Sequence, residues 1–255
     1  ANRRWYRRKI FVGMLCAASL LWITLSFLPL ANFTLEIILY SFLLFTSCMV
    51  YHAELYALRP GASRLTRFYL LVALGGALGG AFVNLAAPWL FKGTWELACG
   101  VAFTWVLLAV LSRGDLDLRS ESAPAATAVL MTILVSLHLG LIIYYSLTGN
   151  RLIERDFYGV VAVRERTAGE DGAPVAILLD GTTIHGSQYQ APAWRDQPTT
   201  YYTRASGIGL AITSNPHYGR GMRVGLLGLG IGTLAAYGQP GDTYRFYEIN
   251  PSIIA

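Results

Sequence analysis

Three long uncharged runs constrain this chain more than any other feature: Ile10–Leu30, with 21 residues, Phe68–Phe91, with 24, and Ser122–Asn150, where His138 is the one ionisable group. About 20 apolar residues match the hydrocarbon core of a bilayer, and lipid offers the backbone no hydrogen-bond partner, so each run is constrained to be a helix. Two weaker candidates accompany them. Leu35–Leu58 carries Glu36, His52 and Glu54, and Trp95–Ser112 has only a short clean apolar part. About five transmembrane helices are expected over residues 1–150. A cleaved signal peptide would account for Arg3–Leu30 alone and not for the runs that follow.

Charge divides the chain in the same way. Residues 10–147 hold six basic and six acidic residues, whereas residues 151–255 hold nine of each. A membrane domain followed by a water-soluble one is expected, with the boundary near Thr148-Gly149-Asn150. The net charge of +5 comes entirely from Arg3, Arg4, Arg7, Arg8 and Lys9. No basic face is left for nucleic acid, and an apolar content of 54% excludes disorder. Cys16, Cys48 and Cys99 lie in apolar stretches without CxxC spacing, so neither a disulfide framework nor a metal site is expected. In a five-span arrangement the N-terminus, the Arg59–Arg67 loop and the Arg113–Arg119 loop share one side and carry ten basic residues, against Lys92 alone on the other. The positive-inside rule puts the ten-residue side in the cytoplasm and residues 151–255 outside.

Within the third span, Gly75-Gly76-Ala77-Leu78-Gly79-Gly80 contains two overlapping GxxxG spacings, which suit close packing inside the bundle or a homo-oligomer seam. Glu36, His52 and Glu54 sit near the ends of their span and suit interfacial anchoring or a polar site. His138 is mid-span, and is read as a hydrogen-bonded bundle histidine in preference to a proton relay.

The soluble half reads as α/β. Asp156–Arg166 and Ala173–Leu179 are expected strands, with turn chemistry at Ala168–Gly172 and Asp180-Gly181. Residues 151–221 form a small β-rich domain in this reading. From Met222 the pattern changes: Arg223–Leu229 is a buried parallel-type strand ending in Gly228-Leu229-Gly230-Ile231-Gly232, followed by the helix-forming Thr233–Tyr237. Tyr244–Tyr247 opens a second strand ending in Glu248, and Asn250-Pro251 starts another helix. Strand, glycine turn, helix, strand and acid make the nucleotide-binding βαβ opening, so residues 222–255 begin an incomplete Rossmann-like, methyltransferase-type fold. The glycines let the turn bend and the backbone approach a ligand, and Glu248, 20 residues beyond Gly228, can accept hydrogen bonds from both hydroxyls of a ribose. A GxGxG followed by Thr, with no third glycine further into the helix, suits an S-adenosylmethionine-type ligand better than a dinucleotide.

The stretches RDFYGVVAV, LLDGTTIHGSQY, PTTYYTRASGIGLAI, VGLLGLGIGTLAAYGQPGDTYRFYEINP and AELYALRPGASRLTRFYLLVALGGALGG resemble the polyamine aminopropyltransferase (spermidine synthase-like) family, especially its bacterial branch fused to a multi-span membrane domain. They cover residues 53–80 and much of 151–255. The resemblance implies that Gly228, Gly230 and Gly232 line a site for decarboxylated S-adenosylmethionine, that Glu248 holds its ribose, and that Gln188 lies beside cofactor and amine. It places Tyr202 near a gatekeeping tyrosine and a small amine such as putrescine as second substrate. His185 is either an amine-orienting group or a turn histidine bonded to backbone. The segment departs from the family where an acidic pair, a Tyr-x-Glu and a histidine are usual, and the glycine loop is GLGIG in place of GGGDG. Amine specificity and the choice between the decarboxylated and intact cofactor stay open. The family's catalytic aspartate is expected beyond Ala255, so the chain is read as a fragment, inactive as it stands, with no catalytic residue assigned. Methyl transfer, and a transporter with a nucleoside-sensing domain, are the alternatives. The resemblance implies a bacterial inner membrane location with the lipid bilayer as partner. Because an adenosine sulfonium is a cytoplasmic compound, the soluble domain is expected in the cytoplasm, against the basic-loop count.

Overall fold

The computed structural model describes residues 6–28, 32–112, 123–167, 172 and 174–254. Arg3, Arg4, the Arg113–Arg119 loop and the turn residues 168–171 lie outside the described residues. The chain divides into two compact units, Ala1–Ala87 with Thr94–Tyr144 and Pro88–Gly93 with Tyr145–Ala255. Residues 151–221 and 222–255 belong to the same unit.

The first unit is helical. The helical elements are α1 (Arg8–Ser26), α2 (Phe33–Ala57), a 3-10 turn at Ala62–Arg64, α3 (Leu65–Ala81), a π turn at Phe82–Ala86, α4 (Ala87–Leu90), α5 (Glu96–Leu111) and α6 (Ala123–Thr148), with Pro88–Leu90 of α4 and Tyr145–Thr148 of α6 falling in the second unit. Four stretches are long and apolar enough to cross a membrane: Arg8–Ser26, Phe33–Ala57, Ala62–Leu90 and Ala125–Thr148. The expected fifth span, α5, is an apolar helix of 16 residues. Its length of about 24 Å at 1.5 Å per residue falls short of a hydrocarbon core of roughly 30 Å.

Leu15 and Trp22 of α1, Leu43 and Val50 of α2, Val101, Trp105 and Leu108 of α5, and Met131 and Val135 of α6 form one buried cluster. Inside it the Trp105 Nε1–H donates to Ser19 Oγ at 3.1 Å, and both residues are fully buried. Polar contacts reveal the helix directions. Arg8 Nε lies 3.0 Å from Glu54 Oε1, Tyr6 OH donates to the same oxygen at 3.3 Å, and Arg8 Nη2 donates to Ser112 Oγ at 3.4 Å. The start of α1 and the ends of α2 and α5 therefore share one end of the bundle. At the far end of α1, Ser26 Oγ lies 3.3 Å from His138 Nε2, and the Trp22 and His138 rings meet edge-on with centroids 4.7 Å apart. Since Ala128, Met131 and Val135, earlier in α6, pack into the core, α6 runs in the direction of α1 and α5 against it.

Helix α3 departs from the expectation of bundle packing. None of its residues is buried, and a Cβ added to Gly75, Gly76, Gly79 or Gly80 would meet nothing within 4 Å among the described residues. The π turn that follows is bridged by Asn84, whose Nδ2 donates to the Gly80 carbonyl at 2.8 Å.

The second unit carries a four-stranded antiparallel meander, β1 (Leu152–Arg155), β2 (Val160–Thr167), β3 (Pro174–Asp180) and β4 (Thr183–Tyr189) in the order β1-β2-β3-β4. The strand expected over Asp156–Arg166 is broken at its start. Asp156 Oδ1 accepts the N–H groups of Tyr158 (2.8 Å) and Gly159 (3.3 Å), which turns the chain and sets β1 against β2. A 3-10 turn (Thr200–Tyr202) and α7 (Gly207–Thr213) lead to β5 (Arg223–Leu227), β6 (Thr243–Tyr247) and α8 (Pro251–Ile254). Strands β5 and β6 pair in parallel, with Arg223 opposite Thr243 and Leu227 opposite Tyr247. Their connection holds a five-residue 3-10 helix, Thr233–Tyr237, where an α-helix was expected. Gly238 and Pro240 follow too soon for a stable α-helical segment to develop. The pair is covered on one face by Met222, Val224, Tyr237 and Tyr244, while Leu227 is 91% exposed. The two-sided burial expected of a parallel strand is thus absent among the described residues, and two strands alone do not make a Rossmann sheet.

Ser19→Ala leaves the Trp105 indole N–H without its acceptor inside the bundle and should destabilise it by about 1 kcal/mol. Trp105→Ala should cost about 3–5 kcal/mol through the cavity it opens. Titration with denaturing detergent, monitored by helical circular dichroism, measures both; equal losses would show that the indole is not packed as described.

Candidate functional site

The glycine turn after β5 is held open by backbone conformation and closed by a carboxylate. Gly228 N–H donates to Tyr247 O at 2.8 Å, extending the parallel ladder by one residue. Gly228, Gly230 and Gly232 then take φ values of 89°, 54° and 71°, a region that costs other residues steric strain. The space where a Cβ would stand is empty at Gly228 and Gly230, so conformation, and no crowding, requires glycine there. Glu248, just past β6, pins the turn. Its Oε2 accepts the Leu229 N–H at 2.8 Å, and its Oε1 accepts the N–H groups of Ile249 and Asn250, both at 2.8 Å. The Leu229 and Asn250 bonds, with a smaller part from Ile249, hold its carboxyl below the usual range against the opposing effect of partial burial. A carboxylate offers about four acceptor positions. With three engaged, about one remains on Oε2, so Glu248 can take one ribose hydroxyl and not the pair expected, unless a backbone bond is released.

Two clefts flank this turn. The first, of about 410 Å³, is lined by Ser187, Gln188, Arg195, Asp196 and Gln197 on one side and by Ile231, Gly232, Thr233 and Ala236 on the other. The second, of about 280 Å³, is mainly apolar, with Leu152, Val161, Val163, Ala176 and Leu178 facing Leu229, Gly230, Ile231 and Ile253. Gln188 and Ile231 line both. Ile231 separates the clefts by resting on β4 at Gly186, where an added Cβ would come within 2.7 Å of Ile231 Cδ1 and 2.8 Å of Cγ1. Gln188 Nε2 donates to the Arg195 carbonyl at 3.3 Å, which ties the 191–197 loop to the strand.

Gln188, Gly230 and Gly232 are thus brought together, with Gly228 and Glu248 supporting the turn from the strand ends. Tyr202 and His185 line neither cleft. The Tyr202 carbonyl accepts from Tyr237 OH at 2.6 Å, its ring lies 4.5 Å from that of Tyr201, and burial pushes its phenol upward, the Tyr201 phenol adding to the effect. His185 is the extra residue of a bulge in β4, since Leu179 faces Ile184 and Leu178 faces Gly186. It is therefore in a strand and not a turn, and its carbonyl accepts from Tyr201 OH at 3.1 Å. Arg195, Asp196, Gln197 and Ile231 were missed by sequence reasoning. The Arg-Asp pair in the loop after Gln188 was a readable signal, whereas the seating of Ile231 on Gly186 spans 45 residues of sequence and had none. No group of His, Cys, Asp and Glu among the described residues could hold a metal ion.

The membrane residues do not assemble a second site. Glu54 pairs with Arg8, while Glu36 lines a separate hollow of about 180 Å³ with Trp22, Ser26, Asn32 and Tyr40. The two acids lie at opposite ends of α2, about 27 Å apart along the helix, so they share no cavity of the kind a transport path needs. Compared with protein-family profiles, curated proteins and solved structures, the chain matches none.

Gly186→Ala should displace Ile231 and lower the thermal midpoint of the C-terminal unit, and the double variant with Ile231→Ala should recover most of the loss. Absence of recovery would mean that Ile231 does not seat on the strand. For Glu248 the carboxyl is depressed in the folded state, so its contribution is full above the unfolded value of about 4.3 and fades as pH falls through the lower folded value. Glu248→Gln should cost about 1–3 kcal/mol at neutral pH and flatten the acid limb of a stability-against-pH curve relative to the parent chain.

Proposed function

We propose that the chain belongs to a membrane-anchored transferase whose C-terminal unit binds an adenosine sulfonium, decarboxylated S-adenosylmethionine, and passes its aminopropyl group to a small amine. One observation carries the reading: a left-handed glycine turn, pinned by an acid at the end of the neighbouring parallel strand, faces a glutamine across two clefts of unlike polarity. The apolar cleft suits the purine and thioether, and the polar cleft suits the acceptor. In the reaction the amine lone pair attacks the methylene next to the sulfonium, the carbon–sulfur bond breaks with its electrons returning to sulfur, and methylthioadenosine leaves. The proton lost by the amine passes to a carboxylate or to water. Gln188 and the turn contribute orientation, the larger part of such catalysis.

Four apolar helices of spanning length support a membrane location, which we assign to a bacterial inner membrane. The directions of α5 and α6 favour an odd number of crossings, with α5 spanning through local thinning of the bilayer. An odd number accords with the basic-loop count and with a C-terminal unit outside the cytoplasm, where an adenosine sulfonium would have to be supplied; a cytoplasmic unit, which that ligand calls for, needs an even number.

Calorimetry on the full chain in detergent tests the nucleoside reading with methylthioadenosine and decarboxylated S-adenosylmethionine. Both should bind, and Glu248→Ala should weaken both by about tenfold or more. No binding by the parent chain would overturn the reading. A phosphatase reporter fused after Asn150 should be active outside the cytoplasm; a silent phosphatase with a fluorescent green-protein fusion would return the unit to the cytoplasm.

A further inference from the structure

The polar cleft carries one side-chain cation and one side-chain anion, Arg195 and Asp196, beside Gln188 and Gln197. Both charges sit on a wound loop, in which Arg195 N–H donates to Ala191 O and Gln197 N–H to Trp194 O, each at 3.0 Å. Strand β4 holds that loop at two points. Gln188 Nε2 grips the Arg195 carbonyl, and the Trp194 ring meets Tyr189 edge-on with centroids 5.9 Å apart. Among the described residues neither Arg195 nor Asp196 pairs with an opposite charge. The loop that borders the cleft therefore carries an exposed guanidinium and an exposed carboxylate, neither with a charged partner among the described residues, and it is fixed to the sheet.

That pair discriminates between ligands by sign. A diamine brings two cations, one of which Asp196 attracts while Arg195 repels both. A group with one ammonium and one carboxylate satisfies both charges, the carboxylate meeting the planar fork of the guanidinium in its preferred two-bond geometry. We infer that the polar cleft takes an aminocarboxylate, its carboxylate on Arg195 and its ammonium on Asp196. The inference rests on the transferase reading, in which this cleft faces the glycine turn, and it amends that reading at the cofactor if intact S-adenosylmethionine supplies the group and at the acceptor if an amino acid does. Two molecules carry the group: intact S-adenosylmethionine, at its amino-acid end, and a free amino acid serving as acceptor.

The test is calorimetry on the full chain in detergent, comparing the parent with Arg195→Gln and Asp196→Asn. The probes are S-adenosylmethionine, its decarboxylated form, methylthioadenosine, γ-aminobutyrate and putrescine, the last two with and without methylthioadenosine. If the cofactor supplies the group, S-adenosylmethionine binds about tenfold or more tightly than its decarboxylated form; if the acceptor does, γ-aminobutyrate exceeds putrescine by a similar factor. Arg195→Gln should abolish the preference while leaving methylthioadenosine affinity unchanged, which also shows that the variant is folded. Absence of both preferences, or a preference that survives Arg195→Gln, overturns the inference. The underlying reading fails separately: an Arg195-dependent γ-aminobutyrate signal without any methylthioadenosine binding removes the nucleoside and leaves the aminocarboxylate site standing.

Discussion

A backbone N–H or C=O withdrawn from water must find a partner in the protein, and both halves of this chain are organised by that requirement. In the N-terminal half the helical ladder meets it, and several hydroxyls placed in apolar helices meet it as well, the buried Ser47 Oγ being an exception. Thr46, Thr104 and Thr132 each donate to the carbonyl four residues earlier, at 2.8–2.9 Å, so they add no unpaired donor to the hydrocarbon-facing bundle. In the C-terminal half the glycine turn pairs the Gly232 N–H with its own Leu229 carbonyl at 2.9 Å, but an acceptor from outside must meet the Leu229 N–H. Glu248 does so from the neighbouring strand, which makes one side chain the fastening for Leu229, Ile249 and Asn250 together.

That fastening has a consequence for any ligand at the turn. A carboxylate already engaged by three amides is rigid and ionised, and its remaining acceptor position is held in place before a hydroxyl arrives. Binding then loses little side-chain entropy at this point. Architecture and recognition are thereby joined in one residue, so substitutions of Glu248 affect the fold of the turn along with its chemistry. Gln188 and Arg195 are easier to separate, since neither side chain bonds the amides of the turn.

Much of this arrangement was readable from composition and local pattern. The uncharged runs became helices, the form that pairs every inner backbone amide within one apolar segment, and Gly228, Gly230, Gly232 and Glu248 fell where turn geometry needs them. Where expectation and structure part, a local interaction outweighed a propensity. Asp156 bends a segment that alternates like a strand, Gly238 and Pro240 leave room only for a 3-10 turn, and a bulge carries His185 away from the cleft its motif suggested. Tyr202 gives its carbonyl to Tyr237 and its ring to Tyr201, and so lies outside the clefts.

The sequence by itself determined which half is apolar enough for lipid, which residues could form spanning helices, and where a left-handed turn and its acid must stand. Those properties depend on the chemistry of neighbours along the chain. Only the tertiary structure decided the directions of α5 and α6, the seating of Ile231 on Gly186, and the meeting of Gln188, Arg195 and Asp196 around one cleft. The helix directions and the Ile231 seat depend on surfaces 45 to 112 residues apart in sequence coming to rest against each other, and the cleft depends on how the 191–197 loop meets the 231–238 turn, matters of shape and hydrogen bonding that local pattern does not encode.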